Sequence, residues 1–133
     1  MGNKHTLFFI IFISVLFSSC SSESPDLEIG FMEGKVSIGP LCPVETDPPN
    51  PDCQPDEDTY KAWPIAVYRA TDTRKMLNII PDAEGNYIVD LPEGRYIVDL
   101  ETEHRFDKNL PAIVDISPAK TLILNIEIDT GIR

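Results

Sequence analysis

The chain has 133 residues, of which 22 are acidic and 11 are basic, so its formal net charge at pH 7 is −11. A surface of this sign repels polyanions and no basic cluster interrupts it, so nucleic acid is excluded as an expected partner. The length suits one small domain with a single core.

The N-terminal segment has the pattern of an export signal. Lys4 precedes the apolar run 6–17, and the small residues Ser18 and Ser19 stand directly before Cys20. A charged start, a short apolar core and a small-residue cleavage site are typical of signal peptides. The apolar run is shorter than the roughly 20 residues that a membrane-spanning helix needs. With cysteine directly after the cleavage point, the segment resembles a bacterial lipoprotein signal ending in a lipobox.

This resemblance implies that residues 1–19 are removed and that Cys20 carries acyl chains, palmitate among them. Two or more chains hold a protein stably at a membrane, where one does not. Residues 20–26 then form a flexible tether. We therefore expect a protein anchored in the bacterial cell envelope, at the outer membrane if the organism is Gram-negative, with its domain periplasmic or extracellular. The alternative is an ordinary secreted protein that keeps a free thiol.

The chain contains three cysteines, an odd number that needs an explanation in an exported protein. If Cys20 carries lipid, Cys42 and Cys53 remain as one pair in a compartment that permits oxidation, and we expect them to form a disulfide. Closing this proline-rich ring contributes somewhat under about 3 kcal/mol. A structural zinc site is excluded, because two cysteines and one remaining histidine cannot supply its ligands.

After residue 26, every clear hydrophobic pattern is short and bounded by turn residues, which predicts an all-β domain over residues 27–133. Seven strands are predicted, at residues 32–38, 65–70, 75–80, 87–91, 96–100, 112–116 and 121–128. Such a set suggests a sandwich of two sheets that share one core. Residues 39–63 lack a strand pattern and are expected to form a proline-rich loop stapled by the disulfide.

The strongest local signal is a near-repeat, in which Tyr-Ile-Val-Asp-Leu occurs at residues 87–91 and again at 96–100. Pro92, Glu93 and Gly94 lie between the two copies. Glycine is free to take the positive φ that a tight turn requires. The sequence therefore predicts that the two copies pair as a β-hairpin.

The run Asp-Ala-Glu-Gly-Asn-Tyr-Ile-Val-Asp-Leu-Pro-Glu-Gly-Arg-Tyr-Ile-Val at residues 82–98 resembles the signature of carboxypeptidase regulatory-like domains. Residues 38–44 and 129–133 are similar to a bacterial envelope subgroup of these domains, and the resemblance covers nearly all of residues 32–133. It implies a seven-stranded transthyretin-like sandwich, of the prealbumin or Cna-B type. It also implies an accessory module without catalysis of its own, but it does not name a ligand.

The sequence offers few groups for catalysis. His104 stands near Asp107 without a nucleophile motif, so we expect an ordinary surface histidine. Residues 129–131 spell the Asp-Thr-Gly of aspartic proteases, but those enzymes need two such aspartates with substantial structure around them. We expect instead a strand end followed by a glycine turn, with Arg133 paired to a nearby carboxylate. No enzymatic activity and no cofactor are therefore expected.

Two further arrangements have a structural interpretation. Residues 56–58 are acidic but lack calcium-binding spacing, so we expect a solvated charge run. Some related adhesin sandwiches carry a Lys–Asn isopeptide bond between their first and last strands, and Lys35 and Asn125 lie on candidate strands of that kind. Lys35 alternates with the inward-facing Val36, and Asn125 lies opposite the apolar residues of its own strand. Both side chains are therefore expected to face outward, and no such bond is expected.

The predicted binding element is the disulfide-closed loop, with Pro43, Pro48 and Pro49 on it and Tyr60 and Trp63 beside it. A stiffened loop loses little entropy on binding. The two aromatic residues either form an exposed patch or, the interpretation we favour, place Trp63 as a cap on the core.

We therefore expect a membrane-anchored binding or scaffolding module whose ligand is an envelope protein, a peptide or a glycan. One alternative is a protease inhibitor that presents the loop to an enzyme cleft. The other is an envelope hydrolase.

Overall fold

The computed structural model describes residues 26–44, 46–102 and 109–133. In these residues, eight strands form two sheets whose inner faces share one core, so the predicted all-β sandwich is confirmed. The strands are β1 (Ile29–Gly39), β2 (Ile65–Arg69), β3 (Lys75–Ile79), β4 (Asn86–Pro92), β5 (Gly94–Leu100), β6 (Ala112–Ile116), β7 (Thr121–Ile123) and β8 (Ile126–Asp129). A 3-10 helix (Pro51–Cys53) and helix α1 (Glu57–Ala62) precede β2.

β1 runs through the middle of the first sheet. It pairs antiparallel with β4 on one side, and parallel with β7 and then β8 on the other. Met32, Val36 and Ile38 are buried along its inner face, whereas Lys35 is exposed, as the alternation predicts. The strand begins at Ile29, three residues earlier than the apolar pattern indicates.

The predicted strand 121–128 is divided into two. β7 and β8 are separated by Leu124 and Asn125, and the Asn125 side chain accepts a hydrogen bond from the Lys35 backbone N–H at 3.0 Å. Gly34 faces the break so closely that a Cβ on it would lie 2.0 Å from the Leu124 carbonyl oxygen. The described residues therefore contain eight strands where the sequence predicts seven. The chain kinks towards Gly34 between β7 and β8, but its apolar residues still alternate towards the core.

The second sheet has the strand order β3-β2-β5-β6, with every neighbouring pair antiparallel. β4 belongs to the first sheet, so the predicted hairpin between residues 87–91 and 96–100 is wrong. Pro92, Glu93 and Gly94 instead carry the chain from one sheet to the other, and the Tyr96 hydroxyl donates to the Pro92 carbonyl at 2.7 Å. The two copies resemble each other because each presents tyrosine and leucine to the same core from opposite sheets.

The core takes residues from both sheets and from α1. Its members are Met32, Val36, Ile38, Tyr60, Ile65, Val67, Ile79, Tyr87, Leu91, Tyr96, Val98, Leu100, Val114, Ile116, Ile126 and Ile128. Complete burial of one large apolar side chain, such as isoleucine or leucine, stabilises a fold by about 1.5–3 kcal/mol.

α1 corrects the prediction that residues 39–63 form only a loop. Asp56 caps the helix: its Oδ1 accepts a hydrogen bond from the Thr59 backbone N–H at 2.8 Å, and the Thr59 hydroxyl accepts one from the Asp56 N–H at 3.3 Å. This reciprocal arrangement satisfies backbone donors at the helix start. No helix in the described residues has the length and apolar character to cross a bilayer.

Candidate functional site

Cys42 and Cys53 are joined by a disulfide, with their Cα atoms 5.5 Å apart. This distance is usual for a disulfide, and the bond confirms the predicted pair. The bridge closes the neck of the loop between β1 and α1, which is the candidate site.

The start of the loop is fixed against the end of the last strand. Gly39 lies opposite Asp129 in the pairing of β1 with β8, and its carbonyl accepts a hydrogen bond from the Thr130 N–H at 3.3 Å. The Thr130 hydroxyl donates to the Pro40 carbonyl. Leu41 is half-buried against the core, so the chain enters the loop from a held position.

The end of the loop is fixed by two short helices. The Asn50 side chain accepts a hydrogen bond from the Asp52 N–H at 3.0 Å at the start of the 3-10 helix, which ends at Cys53. α1 follows after residues 54–56 and inserts Tyr60 into the core, where this side chain is 7% exposed. The loop is therefore held at both ends as well as at its neck.

A cavity of about 280 Å³ is lined by residues of the loop, both cysteines among them. Leu41, Val44 and Pro49 are among its lining residues, and Val44 is 69% exposed. Ligand pockets commonly measure about 300–1,000 Å³, so this one suits a single side chain of a partner better than a whole small molecule. Pro43 and Pro48, the other predicted loop residues, are exposed.

The two aromatic residues beside the loop belong to the core. Tyr60 is buried, and this burial, followed by the charges of Asp82 and Glu84, raises the pKa of its phenol. Trp63 is the C-cap residue directly after α1, is half-buried and packs against the core, in agreement with the interpretation that it caps the core. An exposed aromatic patch that includes Tyr60 is therefore wrong.

The Asp-Thr-Gly tripeptide forms a turn, as predicted. The Arg133 guanidinium donates to both carboxylate oxygens of Asp129, at 3.0 and 2.9 Å, and the Gly131 N–H donates to one of them at 2.9 Å. Gly131 has a φ of +77°. The hydrogen bonds from Arg133 and its proximity to the Asp129 charge raise the pKa of Arg133. Both Asp129 oxygens are therefore engaged in a structural clamp.

Other candidate residues have structural contacts or lie outside the described residues. Within the described residues, no group of three or more potential metal ligands is found. Lys35 and Asn125 face outward, as predicted, and they meet through the Lys35 backbone N–H. Cys20, His104 and Asp107 lie outside the described residues, so the lipid anchor and the surface position of the histidine stay predictions.

Sequence reasoning misses a groove beside α1. Its cavity of about 450 Å³ is bounded by Pro64, Ile79 and Ile80. Ile80 follows β3 with the outward parity and is 79% exposed. The sequence signal that could have predicted this exposed apolar surface is an isoleucine on the outward face of the strand, directly before Pro81.

The fold and the site define the class of this protein: an all-β sandwich with a disulfide-closed loop held at both ends. No family model and no curated protein matches the chain.

Several solved structures are similar to the chain. A DUF3823 family protein from Parabacteroides merdae is 13% identical with a TM-score of 0.48, over 77% of this chain and 47% of that protein. The minor pilin in Streptococcus agalactiae is 13% identical with a TM-score of 0.45, over 77% and 45%. The major pilin subunit of Bacillus cereus is 12% identical with a TM-score of 0.44, over 78% and 31%. The chain thus spans less than half of each of these proteins.

Proposed function

We propose that the protein is a lipid-anchored binding or scaffolding module of the bacterial cell envelope, without catalytic activity of its own. In this proposal, Cys20 carries the lipid, the sandwich is of the transthyretin-like, carboxypeptidase regulatory-like type, and the Cys42–Cys53 loop is the binding element. The observation that supports it most is the construction of the loop, which is closed at its neck and held by β8 and α1. A loop that is already ordered loses less entropy when it binds.

The anchor is tested by mass spectrometry of the mature N-terminus, purified from the membrane fraction of bacterial cells. We expect a chain that begins at an acylated Cys20. The Cys20→Ser variant should lack acyl chains and leave the membrane fraction. An unmodified Cys20 in the wild-type protein would contradict the proposal.

The binding role of the loop is tested by a photo-crosslinking amino acid placed at Val44. We expect it to capture an envelope partner in intact cells, because Val44 is exposed beside the cavity. The same amino acid at Ile113, which is 70% exposed on β6, is the matched control and should not capture that partner. Equal capture from both positions, or none from Val44, argues against the loop.

Val44 favours a protease inhibitor as a second candidate function. It is an exposed aliphatic residue in a disulfide-closed loop, and residues 43–52 contain no lysine or arginine. Elastase has a small specificity pocket, whereas the pocket of trypsin holds a carboxylate. We expect inhibition of elastase-like enzymes but not of trypsin, lost on reduction of the disulfide. Inhibition that survives reduction, or no inhibition of elastase, removes this candidate.

A further inference from the structure

Two adjoining cavities meet at the β3–β4 connection and together form a groove, one extending towards α1 and the other towards β1 and β4. They measure about 450 and 520 Å³ and share Ile80 and Pro81 as lining residues. α1 forms one wall, and β1 and β4 form the far wall. We call this feature the α1–β4 groove.

The middle of the α1–β4 groove is apolar. Ile80 is 79% exposed and Ile88 is 66% exposed, and both line the second cavity. Ile79 and Pro81 are buried beside them. Complete burial of an isoleucine is worth about 1.5–3 kcal/mol, so a partner that covers both gains free energy that the chain alone does not use.

The rim of the groove is acidic. Glu57, Asp82 and Glu33 line it. The ammonium of Lys61 also lines it and lies 3.7 Å from the Glu57 carboxylate and 3.1 Å from that of Asp58, so one cation faces two carboxylates and one negative charge remains in excess at the α1 end.

The strand pairing places one of these carboxylates beside the apolar strip. Glu33 lies directly opposite Ile88 in the pairing of β1 with β4. Asp82 lines the same cavity as Glu33 and Ile88. Burial and then the charges of Asp82 and Glu84 raise the pKa of Tyr60, which lines the adjoining cavity. Complementarity therefore favours a partner that is cationic as well as apolar.

The groove is also bordered by strand edges. Among the described residues, β3 pairs with β2 alone and β4 pairs with β1 alone. The outer side of such a strand offers backbone groups to an added extended chain. An extended peptide, which can pair with a strand edge, is therefore the occupant that these features favour.

We propose that the α1–β4 groove binds an extended peptide segment with an aliphatic side chain flanked by lysine or arginine. The aliphatic side chain packs on Ile80 and Ile88, and the basic side chains pair with Glu33 and Asp82 in the second cavity and with Glu57 beside α1. This site shares no lining residue with the cavity of the disulfide-closed loop, although α1 borders both the groove and the loop.

The test probes an array of random hexapeptides with the full chain, expressed in bacteria and purified in detergent. We expect the bound peptides to be enriched in isoleucine, leucine or valine next to lysine or arginine. The Kd of the strongest binders is then measured by fluorescence anisotropy. Ile80→Ser should weaken binding about tenfold, because it removes an aliphatic contact. Glu33→Lys should weaken it at low ionic strength and less so in high salt.

Each variant has a matched control outside the groove. Ile113→Ser removes an isoleucine that is 70% exposed on β6, and Glu93→Lys reverses an exposed charge between β4 and β5. Both should keep the wild-type Kd within about twofold. Circular dichroism of all four variants checks that losses do not come from unfolding.

Three results overturn the proposal: no bound hexapeptide, bound peptides without the aliphatic and basic pattern, or equal effects of Ile80→Ser and Ile113→Ser. Reduction of the Cys42–Cys53 disulfide separates this site from the loop. It should leave hexapeptide binding unchanged even where it abolishes binding by the loop, so either proposal can fail alone.

Discussion

Gly34 lies in the middle of β1, where the neighbour of this strand changes from β7 to β8. An added Cβ would meet the Leu124 carbonyl oxygen at 2.0 Å and the carbonyl carbon at 2.7 Å. Both distances are too short for non-bonded atoms, and the obstructing atoms belong to the backbone, which cannot move aside as a flexible side chain can. The kink between β7 and β8 therefore depends on glycine at this position.

Gly34→Ala should lower the free energy of unfolding by about 1–3 kcal/mol, because the added methyl overpacks the strand junction. The measurement is urea unfolding followed by circular dichroism. Gly39→Ala is the matched control on the same strand, since no atom lies within 4 Å of its added Cβ. It should change the free energy by less than about 0.5 kcal/mol. Equal losses in both variants contradict this account of the junction.

At the scale of the element, α1 connects the candidate loop to the core. The helix has six residues, too few to be stable in isolation, so its position depends on its cap and its packing. Hydrogen bonds from the Thr59 side chain and backbone lower the pKa of Asp56, which keeps the capping carboxylate ionised. Tyr60 supplies the packing.

Tyr60→Ala should lower the free energy of unfolding by about 3–5 kcal/mol, as expected when a large buried ring is deleted. It should also loosen the disulfide-closed loop, since the loop ends at this helix. Tyr60→Phe keeps the ring and should cost less than about 1.5 kcal/mol. Urea unfolding followed by Trp63 fluorescence reports on both variants, because Trp63 is the C-cap residue of the same helix. A small effect of Tyr60→Ala would show that α1 is not anchored by this residue.

Alternation of apolar residues predicts the strands well, because burial on one side imposes a period of two whatever the partner strand is. Because this period of two is the same in either sheet, the pattern does not show which sheet a strand joins. This is why the hairpin predicted at residues 87–100 is wrong. α1 is missed because barely two turns show no helical period. The disulfide follows from counting cysteines, whereas the α1–β4 groove depends on packing between elements that are distant in sequence.

At the scale of the whole molecule, one buried phenol links folding to pH. Tyr87 is 6% exposed, and its hydroxyl donates to the Leu124 carbonyl at 2.6 Å. Burial raises its pKa from 10.0 to about 12. Between these values the unfolded chain loses the phenol proton while the folded protein keeps it. Stability is therefore fully present below pH 10 and falls as the pH rises towards 12.

We expect the midpoint of urea unfolding to decrease between pH 10 and about pH 12, the pKa values of Tyr87 in the unfolded and folded states. Tyr87→Phe should lower stability at every pH, because the Leu124 carbonyl loses a donor, but should reduce this alkaline decrease. The slope against pH is the readout, and Tyr68→Phe serves as a control with a half-buried tyrosine. An unchanged slope in Tyr87→Phe assigns the decrease to other groups.

The parallel pairing of the first strand with the last has a mechanical consequence. Val36 lies beside Ile126 and Gly39 beside Asp129, with both strands running the same way. Tension applied to the chain ahead of β1 and beyond β8 drags the two strands in opposite directions along their length. The hydrogen bonds between them lie across that force, so they share the load and must rupture together. The sandwich is built to resist stretching.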